Sequence, residues 1–163
     1  MPMATENCSR VAGSDYLEIV MTATETLIRV LADRAELADL VARHSLWVDE
    51  GRYDETDRLF TEDVVVKSPR GEAHGIKELI QLVSAHRVYA RTLHIKANLV
   101  IEVDGETATV RAHDVAVFVL DDKTEAIAAG ILRYGARRTE TGWRFDRLEI
   151  SPIAVTEALD RAL

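Results

Sequence analysis

The sequence predicts a single α+β domain, a curved antiparallel sheet backed by helices that come first in the chain. Three observations carry this. Apolar residues recur mostly at helical spacing until the pattern changes to alternation at Leu93. Turn signals such as Asp104-Gly105 cut the later half into long runs. A content of 47% apolar residues in 163 positions fills one core and would be cramped for two.

Ser14 or Asp15 caps a first helix through Tyr16, Leu17, Ile19 and Val20 towards Leu31, broken near Thr22–Thr26, where threonines weaken helix propensity. Residues 1–13 are expected to be a mobile tail, and residues 14–163 the domain. A second helix starts near Asp33, carries Leu37, Leu40, Val41, His44 and Val48 at helical spacing, and stops at Gly51. Tyr53 to Phe60 reads as a short helix. Val64-Val65-Val66 is a strand ended by Ser68-Pro69-Arg70-Gly71, and Gly75 opens a helix that buries Ile76, Leu79, Ile80 and Val83. Leu93 to Val103, Thr107 to Leu120, Glu125 to Arg138 and Trp143 to Ser151 are long strands, joined by Asp104-Gly105, Asp121-Asp122-Lys123 and Thr139-Glu140-Thr141-Gly142. Val155 to Leu163 reads as a short terminal helix. Helices first and antiparallel strands afterwards is the order of an α+β layer fold. A bent sheet closed by helices at one end leaves a concavity suited to a small molecule.

The formal net charge of −8 and pI near 5.1 disfavour nucleic acid or an anionic membrane as partner, since both would repel the chain. Cys8 is the one cysteine, so neither a disulfide framework nor a thiolate cluster is expected. A basic-then-apolar leader and an apolar run long enough to span a membrane are both missing, which places the chain in the cytoplasm. No His-x-His or His-x₃-His spacing, Gly-x-Ser-x-Gly elbow or glycine-rich phosphate loop occurs, so no metal, serine nucleophile or nucleotide cofactor is expected.

Some polar residues stand where local physics would not put them. On the helix of residues 34–50, Glu36, Asp39, Arg43 and Glu50 share a narrow side. Asp49 falls among Leu37, Leu40, Val41, Leu46, Trp47 and Val48, in a last turn whose dipole disfavours an anion by a few tenths to about 1 kcal/mol. His94 shares a strand face with Lys96 and Asn98, opposite Leu93, Ile95, Ala97 and Leu99, and imidazole is the side chain suited to proton transfer near neutrality. His113 lies with Arg111, Val115, Val117 and Val119 on the next strand and is placed towards the same concavity. His44, on the apolar stripe of its helix, reads as an interior histidine, and His74 and His86 as surface.

The strings Leu37-Ala38-Asp39-Leu40-Val41-Ala42-Arg43-His44, Val48-Asp49-Glu50-Gly51-Arg52-Tyr53-Asp54 and Leu59-Phe60-Thr61-Glu62-Asp63-Val64 resemble the opening of SnoaL-like domains. Arg91-Thr92-Leu93-His94-Ile95-Lys96-Ala97-Asn98, Val103-Asp104-Gly105-Glu106-Thr107-Ala108 and Gly142-Trp143-Arg144-Phe145 are similar to that family's later strands, in order. The resemblance runs from about Asp33 to Ser151. It implies the cystatin-like fold of the nuclear transport factor 2-like superfamily, with a cone-shaped pocket. Within that superfamily the pattern looks most like the scytalone dehydratase, bile-acid 7α-dehydratase and hexachlorocyclohexane dehydrochlorinase group.

That group implies a cofactor-independent lyase acting by elimination on a hydrophobic cyclic molecule such as a polyketide, steroid or terpenoid, with Asp49, His94 and His113 catalytic. His44, Trp47, Tyr53, Lys96, Asn98, Val115 and Leu132 would line the substrate pocket. Where relatives carry a tyrosine late in the long helix and another on the third long strand, this chain has His44 and Leu132, which leaves Tyr53, Tyr89 or Tyr134 as substitutes. An isomerase or cyclase in the same pocket, and a non-catalytic binding or accessory subunit like the β chains of ring-hydroxylating dioxygenases, remain alternatives. The resemblance also implies a homo-oligomer, dimer or trimer.

Overall fold

The threonines expected to break the first helix do not break it. In the computed structural model, which describes residues 7–85, 89–119 and 125–156 and the side chains of all of these but 7–14 and 125, one helix α1 runs from Asn7 to Glu50. Thr22, Thr24 and Thr26 each donate their hydroxyl to the carbonyl four residues earlier, at 2.9, 2.8 and 2.8 Å. The hydroxyls are thereby satisfied within the helix and offer the backbone no competing turn. Residues 7–13, assigned to a tail, are helical. Residues 1–6, the Asp121-Asp122-Lys123 turn, His86 and nearly all of the terminal helix expected over 155–163 lie outside the described residues.

α1 changes character at Asp33. Before it, Tyr16, Leu17, Ile19, Met21, Leu27 and Ile28 are exposed; after it, Leu37, Leu40, Val41, His44 and Trp47 are buried. The junction is fastened by acids. Asp33 accepts hydrogen bonds from the Arg138 guanidinium and the Trp143 indole N–H, and Glu36 accepts the Trp143 backbone N–H at 2.7 Å. Arg34 reaches the Ile101 carbonyl at 2.6 Å. Gly51, at φ 67°, ends the helix in the left-handed conformation that glycine adopts without steric cost.

A 3₁₀ turn (Tyr53–Glu55) and the single turn α2 (Thr56–Leu59) lead into β1 (Phe60–Ser68), β2 (Gly71–His74) and α3 (Ile76–Ala85), followed by β3 (Arg91–Asp104), β4 (Thr107–Val119), β5 (Glu125–Thr139) and β6 (Gly142–Val155). The sheet order is β2-β1-β6-β5-β4-β3. The expected antiparallel sheet is in fact mixed: β1 runs parallel to its neighbour β6, and β2, α3, β3, β4 and β5, which lie between them in sequence, make the long connection that a parallel pair needs. β2 was hidden in what reads as a turn, being only four residues of Gly-Glu-Ala-His. The hairpin at Asp104-Gly105 forms as expected, with Gly105 at φ 57°.

β3 contains the feature that sets the site. Asn98 sits at φ 54°, a conformation asparagine tolerates better than most residues, and the β3–β4 register slips between Ala97 and Val100. Before this bulge Thr92, His94 and Lys96 point to the concave side, while Leu93 and Ile95 are 54% and 53% exposed on the convex side. After it Leu99, Ile101 and Val103 turn inward against α1. The core lies between the concave face, with Val110, Ala112, Leu132, Tyr134, Phe145 and Leu148, and the second half of α1.

Leu37 is fully buried in that core and Leu17 is 64% exposed on the same helix. Leu37→Ala is expected to lower the unfolding free energy by about 2–5 kcal/mol, and Leu17→Ala by less than about 0.5 kcal/mol, in urea titrations of dilute protein.

Candidate functional site

A cavity of about 210 Å³ opens between the last turns of α1, the β1–β2 turn, α3 and the concave face of β3 to β6. Most of its wall is carbon: Trp47, Val66, Leu79, Leu82, Phe118 and Leu132 contribute side chains. Against that wall a few ionisable groups are concentrated, the combination that makes an apolar cleft a candidate functional site.

Asp49 is aimed into the cavity from the last turn of α1. Its position at the negative end of the helix is offset by three donors from β3. Oδ1 lies 2.6 Å from His94 Nδ1 and receives the Thr92 hydroxyl at 2.8 Å, and Oδ2 receives the His94 backbone N–H at 2.9 Å. Burial opposes ionisation of this carboxyl, but the hydrogen bonds from the His94 ring and backbone outweigh it and hold Asp49 below the usual carboxylate range. Both side chains are nearly enclosed, at 14% exposure for His94 and 13% for Asp49. Phe118 and the His94 ring make a T-shaped contact, centroids 5.7 Å apart. His94 Nε2 has no partner among the described residues.

Deeper in, Lys96 is 3% exposed, donates to Ser45 Oγ at 2.8 Å and lies 3.7 Å from Asp114. Burial pushes the ammonium down from its ordinary value, and the charges of Asp114 and Asp49 partly restore it. Asp114 Oδ1 is buried with no hydrogen-bond partner among the described residues. His44 shares a 3.0 Å hydrogen bond with the Tyr134 hydroxyl. Burial holds His44 well below the ordinary imidazole range, with the neighbouring charges of Lys96 and His94 acting in the same direction, so it is a neutral wall of the cavity.

The structure brings together Asp49, His94, His44, Trp47, Tyr53, Lys96 and Leu132, all of which line the cavity. It does not bring His113, Asn98 or Val115 there. In the β3–β4 register His94 faces Ala116 and His113 faces Ala97, so the even-numbered residues Ala112, Asp114 and Ala116 share the concave side and His113 points away from it. On the convex side His113 Nδ1 meets the Asn98 amide at 2.9 Å and its Nε2 meets Arg111 at 3.2 Å. Val115 is 40% exposed there. Of the tyrosines, Tyr53 and Tyr89 line the cavity, whereas Tyr134 is buried behind His44.

Sequence reasoning missed Asp114, Phe118 and Arg70, while Tyr89, named as a substitute tyrosine, does line the cavity. For Asp114 a signal existed: an acid alternating with Ala112, Ala116 and Phe118 is an acid on a buried face. Arg70, in a turn of ordinary turn residues, gave none.

Comparison with known proteins gives three kinds of match. The model of the SnoaL-like domain matches residues 29–149. Uncharacterized proteins of Mycobacterium tuberculosis (strain ATCC 25618 / H37Rv) and Mycobacterium bovis (strain ATCC BAA-935 / AF2122/97) are each 32% identical over 127 residues, covering 72% of this chain and 83% of their own length. Among solved structures, an NTF2-like protein with a cystatin-like fold from Novosphingobium aromaticivorans superposes with a TM-score of 0.73 at 26% identity, over 87% of this chain and 96% of its own. A putative scytalone dehydratase from the same species gives 0.71 at 21%, over 78% and 88%. A hexachlorocyclohexane dehydrochlorinase from Novosphingobium barchaimii gives 0.70 at 18%, over 77% and 90%.

The neutral state of His44 has a measurable consequence. An imidazole whose pKa falls on folding binds its proton better in the unfolded chain, so stability is fully present above the unfolded value near 6.5 and declines as pH falls below it. Unfolding free energy is expected to fall more steeply below about pH 6.5 in the native chain than in His44→Gln, by up to about 1.4 kcal/mol per pH unit. Equal slopes in urea titrations would show that His44 is charged in the fold.

Proposed function

We propose that this chain, which belongs to the SnoaL-like domain family, is a cofactor-independent lyase that removes water from a hydrophobic cyclic hydroxy compound of the polyketide, steroid or terpenoid kind. The observation that carries this reading is the 2.6 Å contact between Asp49 Oδ1 and His94 Nδ1 inside a largely apolar cavity. The names of two structural relatives, a dehydratase and a dehydrochlorinase, are those of elimination enzymes and favour the same class.

Asp49 keeps the Nδ1–H tautomer of His94 and leaves the Nε2 lone pair facing the cavity. Nε2 takes a proton from a carbon next to a carbonyl. The electrons of that C–H bond form the double bond as the C–O bond to the neighbouring hydroxyl breaks, and the imidazolium is stabilised by the Asp49 carboxylate. Lys96 supplies the proton with which the hydroxyl departs as water; its burial eases that donation. Transfer of the proton on His94 back to Lys96 through solvent resets the site. His113, placed on the convex face, has no part in this chemistry.

A second reading, in which the chain serves as an assembly partner, is favoured by the exposed apolar residues Leu93, Ile95, Val115 and Ile127. Copies of this chain meeting across that face would give a homo-oligomer and are compatible with catalysis.

Turnover of a panel of cyclic β-hydroxy-ketones, followed by the absorbance of the conjugated ketone, tests the elimination. Asp49→Asn and His94→Ala are each expected to lower kcat by about 10²–10⁴ and Lys96→Met by about 10² or more, with His113→Ala unchanged. Native turnover in Asp49→Asn or His94→Ala rejects the elimination. A light-scattering mass that is a multiple of the chain's, with no turnover of any panel member, supports the assembly reading.

A further inference from the structure

We infer that the molecule held in this cavity carries a carboxylate, and that Arg70 receives it. The inference rests on the reading of the cavity as a substrate site, and names the class of substrate.

Arg70 sits in the turn between β1 and β2, is half-buried, and lines the cavity. One of its N–H groups donates to the Tyr89 hydroxyl at 3.0 Å. Its guanidinium carbon lies 5.3 Å from the centre of the Tyr89 ring and 6.0 Å from that of Phe118. Two aromatic rings and a hydroxyl therefore restrict the guanidinium, which lowers the entropy lost when it takes a ligand. Its other N–H groups have no acceptor among the described residues, and no carboxylate there lies within ion-pair distance.

Two other half-buried cations are paired with acids. Arg138 is neutralised by Asp33 and Glu106, and Lys96 by Asp114. The two acids of the cavity are taken, Asp49 by His94 and Asp114 by Lys96. The cavity wall carries Arg70, Arg91 and Lys96 against Asp49 and Asp114. The chain as a whole has an excess of eight acidic residues. A cationic recess in an anionic protein concentrates anions at its mouth.

Geometry places that charge relative to the base. The centre of the Phe118 ring is 5.7 Å from that of the His94 ring and 6.0 Å from the Arg70 guanidinium carbon, so both groups neighbour one phenyl ring. A carboxylate paired in the guanidinium fork would lay the rest of its molecule over Phe118 towards His94. The planar fork suits a carboxylate, and a cavity of about 210 Å³ suits one or two rings. The class is a small aromatic or alicyclic acid whose reacting carbon lies across the ring from its carboxylate.

Calorimetric titration with 2-naphthoate and its neutral counterpart 2-naphthamide tests this. The native chain is expected to bind the acid at least tenfold more tightly than the amide at low salt, with the preference shrinking as salt is raised. Arg70→Met is expected to bring the two affinities together by weakening only the acid, while Arg70→Lys, which keeps the charge, retains part of the preference. Asp49→Asn is expected to show at least the native preference, because it leaves Arg70 in place and removes a negative charge from the cavity. A preference that survives in Asp49→Asn while turnover is unaffected by that change removes the elimination and leaves the anion site standing. Equal affinities in the native chain, no binding of the acid at millimolar concentration, or an undiminished preference in folded Arg70→Met overturns the anion site, whatever the outcome for turnover.

Discussion

The carboxylate of Asp49 is the point at which helix and sheet meet in this protein. It lies where the carbonyl ends of α1 accumulate negative potential, and an anion there is tolerated because β3 supplies three hydrogens to it. Those hydrogens come from a hydroxyl, a ring and a backbone amide within three consecutive residues of one strand, so the carboxylate also fixes how β3 lies against the helix. The ring that it grips cannot flip without losing a charge-assisted bond in a water-poor setting. The orientation of His94, and with it the direction of its free nitrogen, follows from that grip, with Phe118 in T-shaped contact beside the ring.

Around this contact the interior is layered by polarity. Trp47 and Phe60 pack against His44, and the Tyr134 hydroxyl completes the neutral imidazole. One step towards the opening are Lys96, hydrogen-bonded to Ser45, and Asp114, whose Oδ1 lacks a hydrogen bond among the described residues, and then the Asp49–His94 pair. Each layer has less water than bulk solvent, so Coulombic interactions are strong and unpaired groups are costly. A fold that served only to pack would gain by replacing Lys96 and Asp114 with carbon, since a buried ion pair seldom exceeds its desolvation penalty.

Much of this was legible in the residues. The alternation from Leu93 and the Asp104-Gly105 turn identified the hairpin, and Asp49 and His94 were conspicuous because local propensity argued against them. The resemblance of Val48-Asp49-Glu50-Gly51 and Arg91-Thr92-Leu93-His94 to SnoaL-like domains tied the two together. What was hidden was non-local. Period two says that His113 opposes its neighbours but not which side is concave; that depends on the pairing of His94 with Ala116. The parallel β1–β6 contact and the four-residue β2 leave no trace in periodicity. Thr22–Thr26 looked like a break because propensity counts the side chain's competition for the backbone and not the carbonyl four residues back that absorbs it.

The left-handed kink at Asn98 divides β3 into two stretches with opposite side-chain parity. Residues ahead of it line the cavity, and residues behind it pack against α1. Changes in one stretch need not disturb the other, because the irregularity absorbs the phase between them. A strand built this way lets the cavity lining at positions 92, 94 and 96 change while the helix-facing carbon at 99, 101 and 103 stays as it is, so the hollow can be reshaped without refolding.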